Sequence, residues 1–203
     1  EWEPDEDSIE PDTPDEDGED TAGTAVDAIR SWLSKYIELH DGSPAVGVLN
    51  QKCAELIERN EYLITPADTD EIWAYNPEEG IWKPNGEQYV RGILCPALGS
   101  DFKRHRFKEI LTRLKARTSG RDTQEELGVG GRRIAVENGL LNLETRGLQD
   151  LKPEHRATAK LPVEYDEDAD CPRWREFIDE VVEDEKEDTI QEYIGYTLLQ
   201  NEL

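Results

Sequence analysis

Ile134-Ala-Val-Glu-Asn-Gly-Leu-Leu-Asn-Leu143 is the stretch on which the fold turns. Apolar residues occupy both halves. The Asn138-Gly139 dipeptide between them favours a tight hairpin turn, because both residue types tolerate positive φ. It reads as a two-stranded ribbon over Arg132–Leu143. Beyond it, Leu151-Lys-Pro-Glu-His155 leads to Leu161-Pro-Val-Glu-Tyr165, part of a further short strand over Thr158–Tyr165. Ala169-Asp-Cys-Pro-Arg-Trp174 then opens a helix. Pro172 stands in the first turn, where a missing N–H costs nothing. Trp174, Phe177, Ile178 and Val181 share one face of it. A last helix spans Asp188–Leu203.

Upstream the hydrophobic period is helical. Val26, Ile29, Leu33 and Ile37 place a stripe on a helix over Thr24–Leu39, with Thr24 as its cap. His40-Asp-Gly-Ser-Pro44 breaks it. A second helix runs from Pro44 to Arg59, its apolar face made of Val46, Leu49, Cys53, Leu56 and Ile57. Between Glu61 and Lys83 the pattern becomes strand-like. Tyr62–Thr65, Glu71–Tyr75 and Ile81–Lys83 read as strands, the last two joined by the turn Asn76-Pro-Glu-Glu-Gly80. Gly86–Leu98 and Phe102–Arg117 return to helix, the second with Phe107, Ile110, Leu111 and Leu114 at i, i+3, i+4, i+7. Ser119–Arg133 reads as a flexible loop rich in glycine and charge. Helices and strands are segregated rather than alternating. The expected class is therefore α+β, mainly helical, with small antiparallel hairpins. The expected division is a disordered acidic tail at 1–23, a helical pair at 24–60 and an α+β core at 61–203.

Charge sets the next constraint. The 203 residues carry 48 Asp and Glu against 23 Lys and Arg, a formal charge of −25. Residues 1–20 hold 12 of the acids and no Lys or Arg, yet the rest is still acidic. Such a balance argues against a polyanionic partner at low salt. A haloarchaeal host removes the objection, and 9 Lys against 14 Arg with only 3 Phe suit one. At 1 M salt the Debye length falls to ~3 Å, which screens the self-repulsion. Cys53, Cys95 and Cys171 are far apart, as are His40, His105 and His155. With no Cys-x-x-Cys pair they read as reduced thiols of a cytoplasmic protein, not as a disulfide framework or a zinc site. No apolar run approaches the ~18 residues of a membrane span, and no signal peptide is visible, so no membrane partner is expected. The chain has no Met, starts at Glu1 and stops within the apolar run Ile190–Leu203; it reads as an internal piece of a longer protein.

Against this background one segment is basic. Lys103, Arg104, Arg106, Lys108, Arg113, Lys115, Arg117, Arg121, Arg132 and Arg133 lie within 31 residues that hold only four acids. On a helical wheel Arg106, Arg113 and Arg117 flank the apolar stripe on one side, and Arg104, Lys108 and Lys115 on the other. Both flanks can face a phosphate backbone. The competing reading pairs these cations with the carboxylate-rich surface or with a neighbouring subunit.

Other motifs carry less. Gly128-Val-Gly-Gly131-Arg-Arg133 has the glycines of a phosphate cradle, but Gly-x-x-x-x-Gly-Lys-Ser/Thr occurs nowhere in the chain. Asp166-Glu-Asp-Ala-Asp170 alternates like a calcium loop, yet its sixth and twelfth positions are Cys171 and Phe177 where Gly and Glu are needed. As a polymerase-type metal site it lacks a further acidic or His partner. A solvated turn capping the next helix suits it better. Trp73, Tyr75 and Trp82 are able to stack on single-stranded bases, although aromatics of a small hairpin more often pair across strands. No Ser–His–Asp or Cys–His constellation can be assembled.

The order of motifs from Ile134 to Tyr196 resembles the N-terminal helicase-associated domain of phage and plasmid primase–helicases, the poxvirus primase–helicase among them. It comprises the Asn138-Gly139 ribbon, Leu151–His155, Leu161–Tyr165, Ala169–Trp174, Phe177 and Gly195-Tyr196. Thr69–Tyr75, Gly80–Trp82 and the helix Phe102–Arg117 follow the same order, so the resemblance covers about Asn60–Leu203. It implies a parent that is a hexameric, ATP-dependent superfamily 3 DNA helicase acting in replication, of a kind often fused to a primase. The Walker A loop would follow beyond Leu203. This chain would then be a non-catalytic module beside the ATPase ring, aiding ring assembly and engaging single-stranded or forked DNA. It would hold no cofactor itself; ATP and Mg would belong to the missing ATPase domain. The expected DNA contacts are Lys103, Arg104, Arg106, Lys108, Arg113, Lys115, Arg117, Arg132 and Arg133. Two alternatives stay open. One is a structural interaction or oligomerisation domain without DNA contact. The other is a metal-dependent primase using Asp166, Asp168 and Asp170.

Overall fold

Six helices and six strands follow one another in the computed structural model, which describes residues 24–120, 123–182 and 186–198. The acidic segment 1–23 and Arg121 lie outside the described residues. The helices are α1 (Ala25–His40), α2 (Val46–Asn60), α3 (Gly86–Leu98), α4 (Arg104–Thr118), α5 (Pro172–Val181) and α6 (Glu187–Thr197). The strands are β1 (Leu63–Ile64), β2 (Trp73–Asn76), β3 (Ile81–Lys83), β4 (Arg133–Val136), β5 (Gly139–Asn142) and β6 (Leu148–Gln149). They pair as two antiparallel three-stranded sheets, β1-β2-β3 and β4-β5-β6. The fold is α+β, as the segregated periodicities predict.

The first four helices share a single core. Ile29 of α1, Cys53 and Ile57 of α2, Val90 and Leu94 of α3, and Ile110 and Leu114 of α4 are sealed in one cluster. Burying each large aliphatic side chain stabilises the fold by ~1.5–3 kcal/mol. Residues 24–60 are therefore packed into the same core as α3 and α4. Two polar contacts fix how α2 and α4 lie: Asn50 Nδ2 donates to Glu109 Oε2 at 2.5 Å, and Arg117 Nε donates to Glu58 Oε2 at 2.5 Å. Each step is eight residues in the same direction, so the helices run parallel and begin level with each other.

Both predicted stripes overshoot this core. Ile37 and Val46 are 41% and 47% exposed, because the end of α1 and the start of α2 project past it. The cap of α1 also differs from expectation. Thr24 turns its hydroxyl to Asp27 Oδ2 at 3.1 Å. The Ala25 amide instead donates to Glu61 Oε1 at 3.2 Å, and the other oxygen of Glu61 accepts from the Tyr89 hydroxyl. One carboxylate thus ties α1 and α3 to the end of α2. Burial, and then this carboxylate, push the Tyr89 phenol well above its ordinary pKa.

The two sheets are joined through β3. Tyr75 pairs with Trp82 across β2–β3, and both rings are buried together with Trp73 under Leu127. These aromatics are packed inward and offer no stacking platform. The Trp82 amide donates to Ala157 O at 2.7 Å and its indole Nε1 to Pro153 O at 2.9 Å. The neighbouring Ile81 packs with Val129, Leu140 and Ala157 in the core of the second sheet.

In that sheet the hairpin turn is Glu137–Asn138, one residue earlier than the dipeptide suggests. Gly139 opens β5 with φ 148°. The predicted strand at Thr158–Tyr165 is instead a run laid parallel to β4. The Leu161 amide donates to Ala135 O and the Glu137 amide to Val163 O, both at 2.9 Å. The Asn138 side chain continues the pattern, accepting from the Tyr165 amide and donating to its carbonyl, each at 2.9 Å. Residues 161, 163 and 165 make these bonds. Pro162, which has no N–H, falls on the non-bonding side.

Candidate nucleic-acid interface

Helix α4 buries Phe107, Ile110, Leu111 and Leu114 and leaves its cations to find other places. Its first turn holds no acid, and Lys103 at the N-cap makes no side-chain cap. Lys103, Arg104 and Lys108 thus crowd the positive end of the helix dipole, where cations cost stability and an anion restores it.

The two flanks of α4 have different fates. Arg106, Arg113 and Arg117 lie toward α2. Arg106 is buried, contrary to the wheel's suggestion of an open flank. Its Nη1 donates to Asp101 O at 2.6 Å and stands 3.8 Å from the Asp101 carboxylate. Nearby, burial pushes the Cys53 thiol from 9.0 to about 11, while the Arg106 charge acts weakly in the opposite sense. Arg117 is held by Glu58, and Arg113 sits half-buried on the same side. This flank is a helix seam.

The opposite flank is open. Lys108, Thr112 and Lys115 line a groove of about 520 Å³ whose other wall is Thr65, Thr69 and Asp70. The floor is pinned by backbone bonds, Thr65 N–H to Thr118 O and Gly120 N–H to Thr65 O, both at 3.0 Å. Lys115 Nζ is 2.7 Å from Asp70 Oδ2, a carboxylate that is 89% exposed. Lys103, Arg104, Lys108 and Arg113 pair with no carboxylate among the described residues. The ammonium groups of Lys108 and Lys115, with the hydroxyls of Thr69 and Ser119, form a donor surface suited to phosphate oxygens, whereas the Thr112 hydroxyl already donates to Lys108 O at 2.8 Å and the Thr65 hydroxyl to Thr118 Oγ1 at 2.9 Å.

Arg132 and Arg133 belong elsewhere, at the entrance to β4 in the second sheet. Arg133 Nε donates to Gly130 O at 2.9 Å, and Arg132 is exposed. Between α4 and these two arginines Leu127 is anchored in the first sheet's cluster and Val129 in the second's core. The segment is therefore fastened at two points rather than loose, and the structure does not join its arginines to the α4 groove.

A family model described as D5 N terminal like matches residues 60–183. The chain belongs to the D5 N terminal like family. Domains of this family are found in primase–helicase-type replication proteins. No curated protein matches the chain. The matched range takes in both sheets, α3, α4 and α5; α1 and α2 precede it, although they complete the core of this D5 N terminal like domain.

The aspartates of this D5 N terminal like domain serve the chain's own turn. Asp166 Oδ1 accepts from the Asp168 amide at 3.0 Å. Asp170 Oδ1 accepts from the Cys171 amide at 2.9 Å and pairs with Arg175 at 3.0 Å, setting the entry to α5. Among the described residues no three His, Cys, Asp or Glu groups gather as a metal ion requires. No helix among them is long and apolar enough to cross a membrane. Asp70 is the groove residue that sequence reasoning missed; it lies 45 positions from Lys115, and no spacing rule links them.

The thiols give a direct check on the α2–α4 seam. At pH 8, Cys95 and Cys171, both exposed, are expected to react with a thiol reagent within minutes, and Cys53 only on unfolding. The raised pKa of Cys53 means that the folded state holds its proton more tightly than the unfolded one. Its contribution to stability is complete below pH 9 and is lost as pH climbs to about 11. Thermal melts of the wild type and Cys53→Ala from pH 8 to 11 should diverge in that sense, the variant losing less.

Proposed function

We propose that this chain is a non-catalytic module of a DNA-replication primase–helicase and engages single-stranded or forked DNA through the open flank of α4. The supporting observation is the groove beside α4. In a chain of net charge −25 it gathers Lys108 and Lys115, with Arg104 on the same flank, next to Thr65, Thr69 and Thr112. Lys108 and Lys115 are two helical turns apart, ~10 Å along the axis, and hold a backbone at two points. Asp70 competes with phosphate for Lys115 and so tempers affinity. Arg132 and Arg133 form a second, separate contact on the second sheet. ATP and Mg serve a superfamily 3 ATPase domain of the same protein. The chain aids that motor's assembly into a ring, in the cytoplasm of a halophilic host. A primase fused to the motor is part of the same reading.

The test is a titration of fluorescent single-stranded and forked DNA at several salt concentrations. Replacing Arg104, Lys108 and Lys115 together by Glu should weaken binding and lower the salt slope by about 2, since each lost contact to a single strand removes ~0.7. Asp70→Asn should tighten binding several-fold. Undiminished binding by the triple variant, or none by the wild type, rejects the proposal in favour of an interaction domain without DNA contact.

A further inference from the structure

The groove beside α4 is equipped for phosphates and poorly for bases. Besides its cations and hydroxyls, the lining is completed by Pro66, Ala67, Leu111 and Ala116. Among the described residues no aromatic ring and no amide side chain lines it, and its one carboxylate, Asp70, is engaged by Lys115. Trp73, Tyr75 and Trp82 are buried in a separate cluster with Leu127. The large exposed rings stand elsewhere. Trp174, Phe177, Tyr193 and Tyr196 belong to α5 and α6, and Tyr62 meets Tyr75 edge-on at 6.0 Å. His105, exposed in the first turn of α4, is also outside the lining. A groove that holds single-stranded bases normally stacks them on such rings. Lys108 and Lys115 are instead point charges with rotatable donors, which accept a phosphate from many directions. Lys115 also has a resident anion. The Asp70 carboxylate, 2.7 Å from its Nζ, stands ready to replace a departing phosphate, so departure leaves no unpaired charge.

We propose that this groove grips a strand by its phosphates alone, with the bases turned to solvent, and that Asp70 takes over Lys115 each time a phosphate leaves. The inference rests on the DNA contact proposed above and narrows its ligand to a phosphate chain of any sequence, one without bases included. Contacts to phosphate carry no sequence information and let a protein slide along its nucleic acid. The exchange between Asp70 and successive phosphates eases that movement, because Lys115 passes from one anion to another. The groove is thus a guide for a moving strand rather than a reader of it.

Fluorescence anisotropy provides the test, with a thymidine strand, a mixed-sequence strand and an abasic strand of equal length at one salt concentration. A stacked base is worth about 5- to 150-fold in affinity, so even two would separate the abasic strand from the others by at least about 25-fold. The three dissociation constants should instead agree within about threefold, and inorganic polyphosphate should displace each strand. Replacing Arg104, Lys108 and Lys115 together by Glu should weaken all three alike. Trp174→Ala with Phe177→Ala, on exposed rings outside the groove, should change none of them. Asp70→Asn should slow dissociation of all three several-fold; an unchanged rate overturns the exchange at Lys115. An abasic strand bound more than about tenfold more weakly than the thymidine strand shows that bases are held, which overturns this inference and leaves the DNA contact standing. Selective loss of the thymidine strand by the ring variant does the same and places the stacking on α5. A wild type that binds none of the strands overturns the DNA contact itself, and this inference with it.

Discussion

Gly86→Ala should destabilise the domain by about 3 kcal/mol, while Gly92→Ala, six residues further along the same helix, should stabilise it by about 0.5–1 kcal/mol. Gly86 is the first residue of α3, and its amide donates to Ile72 O at 3.0 Å. That bond satisfies one of the N–H groups a helix start leaves over, and it brings the backbone of α3 against the backbone before β2. A Cβ at Gly86 would lie 2.6 Å from the Ile72 oxygen and 2.8 Å from its carbonyl carbon. The Ile72 side chain is able to rotate away, but its peptide group is not. The helix would have to lift off the sheet, opening the core at Val90 and Leu94. At Gly92 a Cβ meets nothing within 4 Å, so only the gain in helix propensity remains. For a chain of this size the first change corresponds to a fall of about 6–12 °C in Tm and the second to a rise of about 1–4 °C. Two changes of the same kind in one helix, read in one calorimeter, therefore differ in sign. Equal melting of both variants would show that α3 does not approach Ile72 this closely.

Trp82→Ala should cost about 3–5 kcal/mol, the range for emptying a large aromatic site. Trp82 is 7% exposed, its ring centroid is 5.7 Å from that of Tyr75, and its indole N–H holds Pro153 O. The loss would not stay within the first sheet. The 153–157 segment that Trp82 grips also supplies Ala157 to the second sheet's core, so amide exchange should accelerate in β4 and β5 as well. Trp82→Phe separates the two roles. It keeps most of the ring but strands the Pro153 carbonyl, at about 1–3 kcal/mol. If exchange in β4–β5 were unchanged in Trp82→Ala, the sheets would be independent and β3 would not be their link.

What could be read in advance follows from what each element buries. All six helices appear near their predicted places, because each has an apolar stripe at helical spacing; the last is seen over Glu187–Thr197, and the remainder of its expected span, 199–203, lies outside the described residues. The first sheet was legible for the same reason at a period of two. β6 was not, since Leu148 and Gln149 are both exposed and leave no pattern. The parallel run at 161–165 was legible as extended chain but not as a partner of β4, because its bonds join residues more than twenty positions apart. Membership of the D5 N terminal like family was visible in the order of motifs. The placement of the α4 cations was not. A helical wheel gives the angle of a side chain and not its depth, and Arg106 sits at an angle that α2 closes over. Asp70 and Lys115 meet only because the Thr65–Ser119 contact folds the intervening chain back on itself.

The parallel run beside β4 also has a mechanical meaning. Along the chain, α5 and α6 follow residues 161–165, which are held to β4 and its turn at 135, 137 and 138. A pull along that run loads its hydrogen bonds together, in shear, rather than peeling them one at a time. Torque or tension applied at α5–α6 would pass through β4 into the second sheet and, by way of Trp82, into the first. The run therefore acts as a tendon, able to carry force from whatever grips the two C-terminal helices to the face that carries the α4 groove.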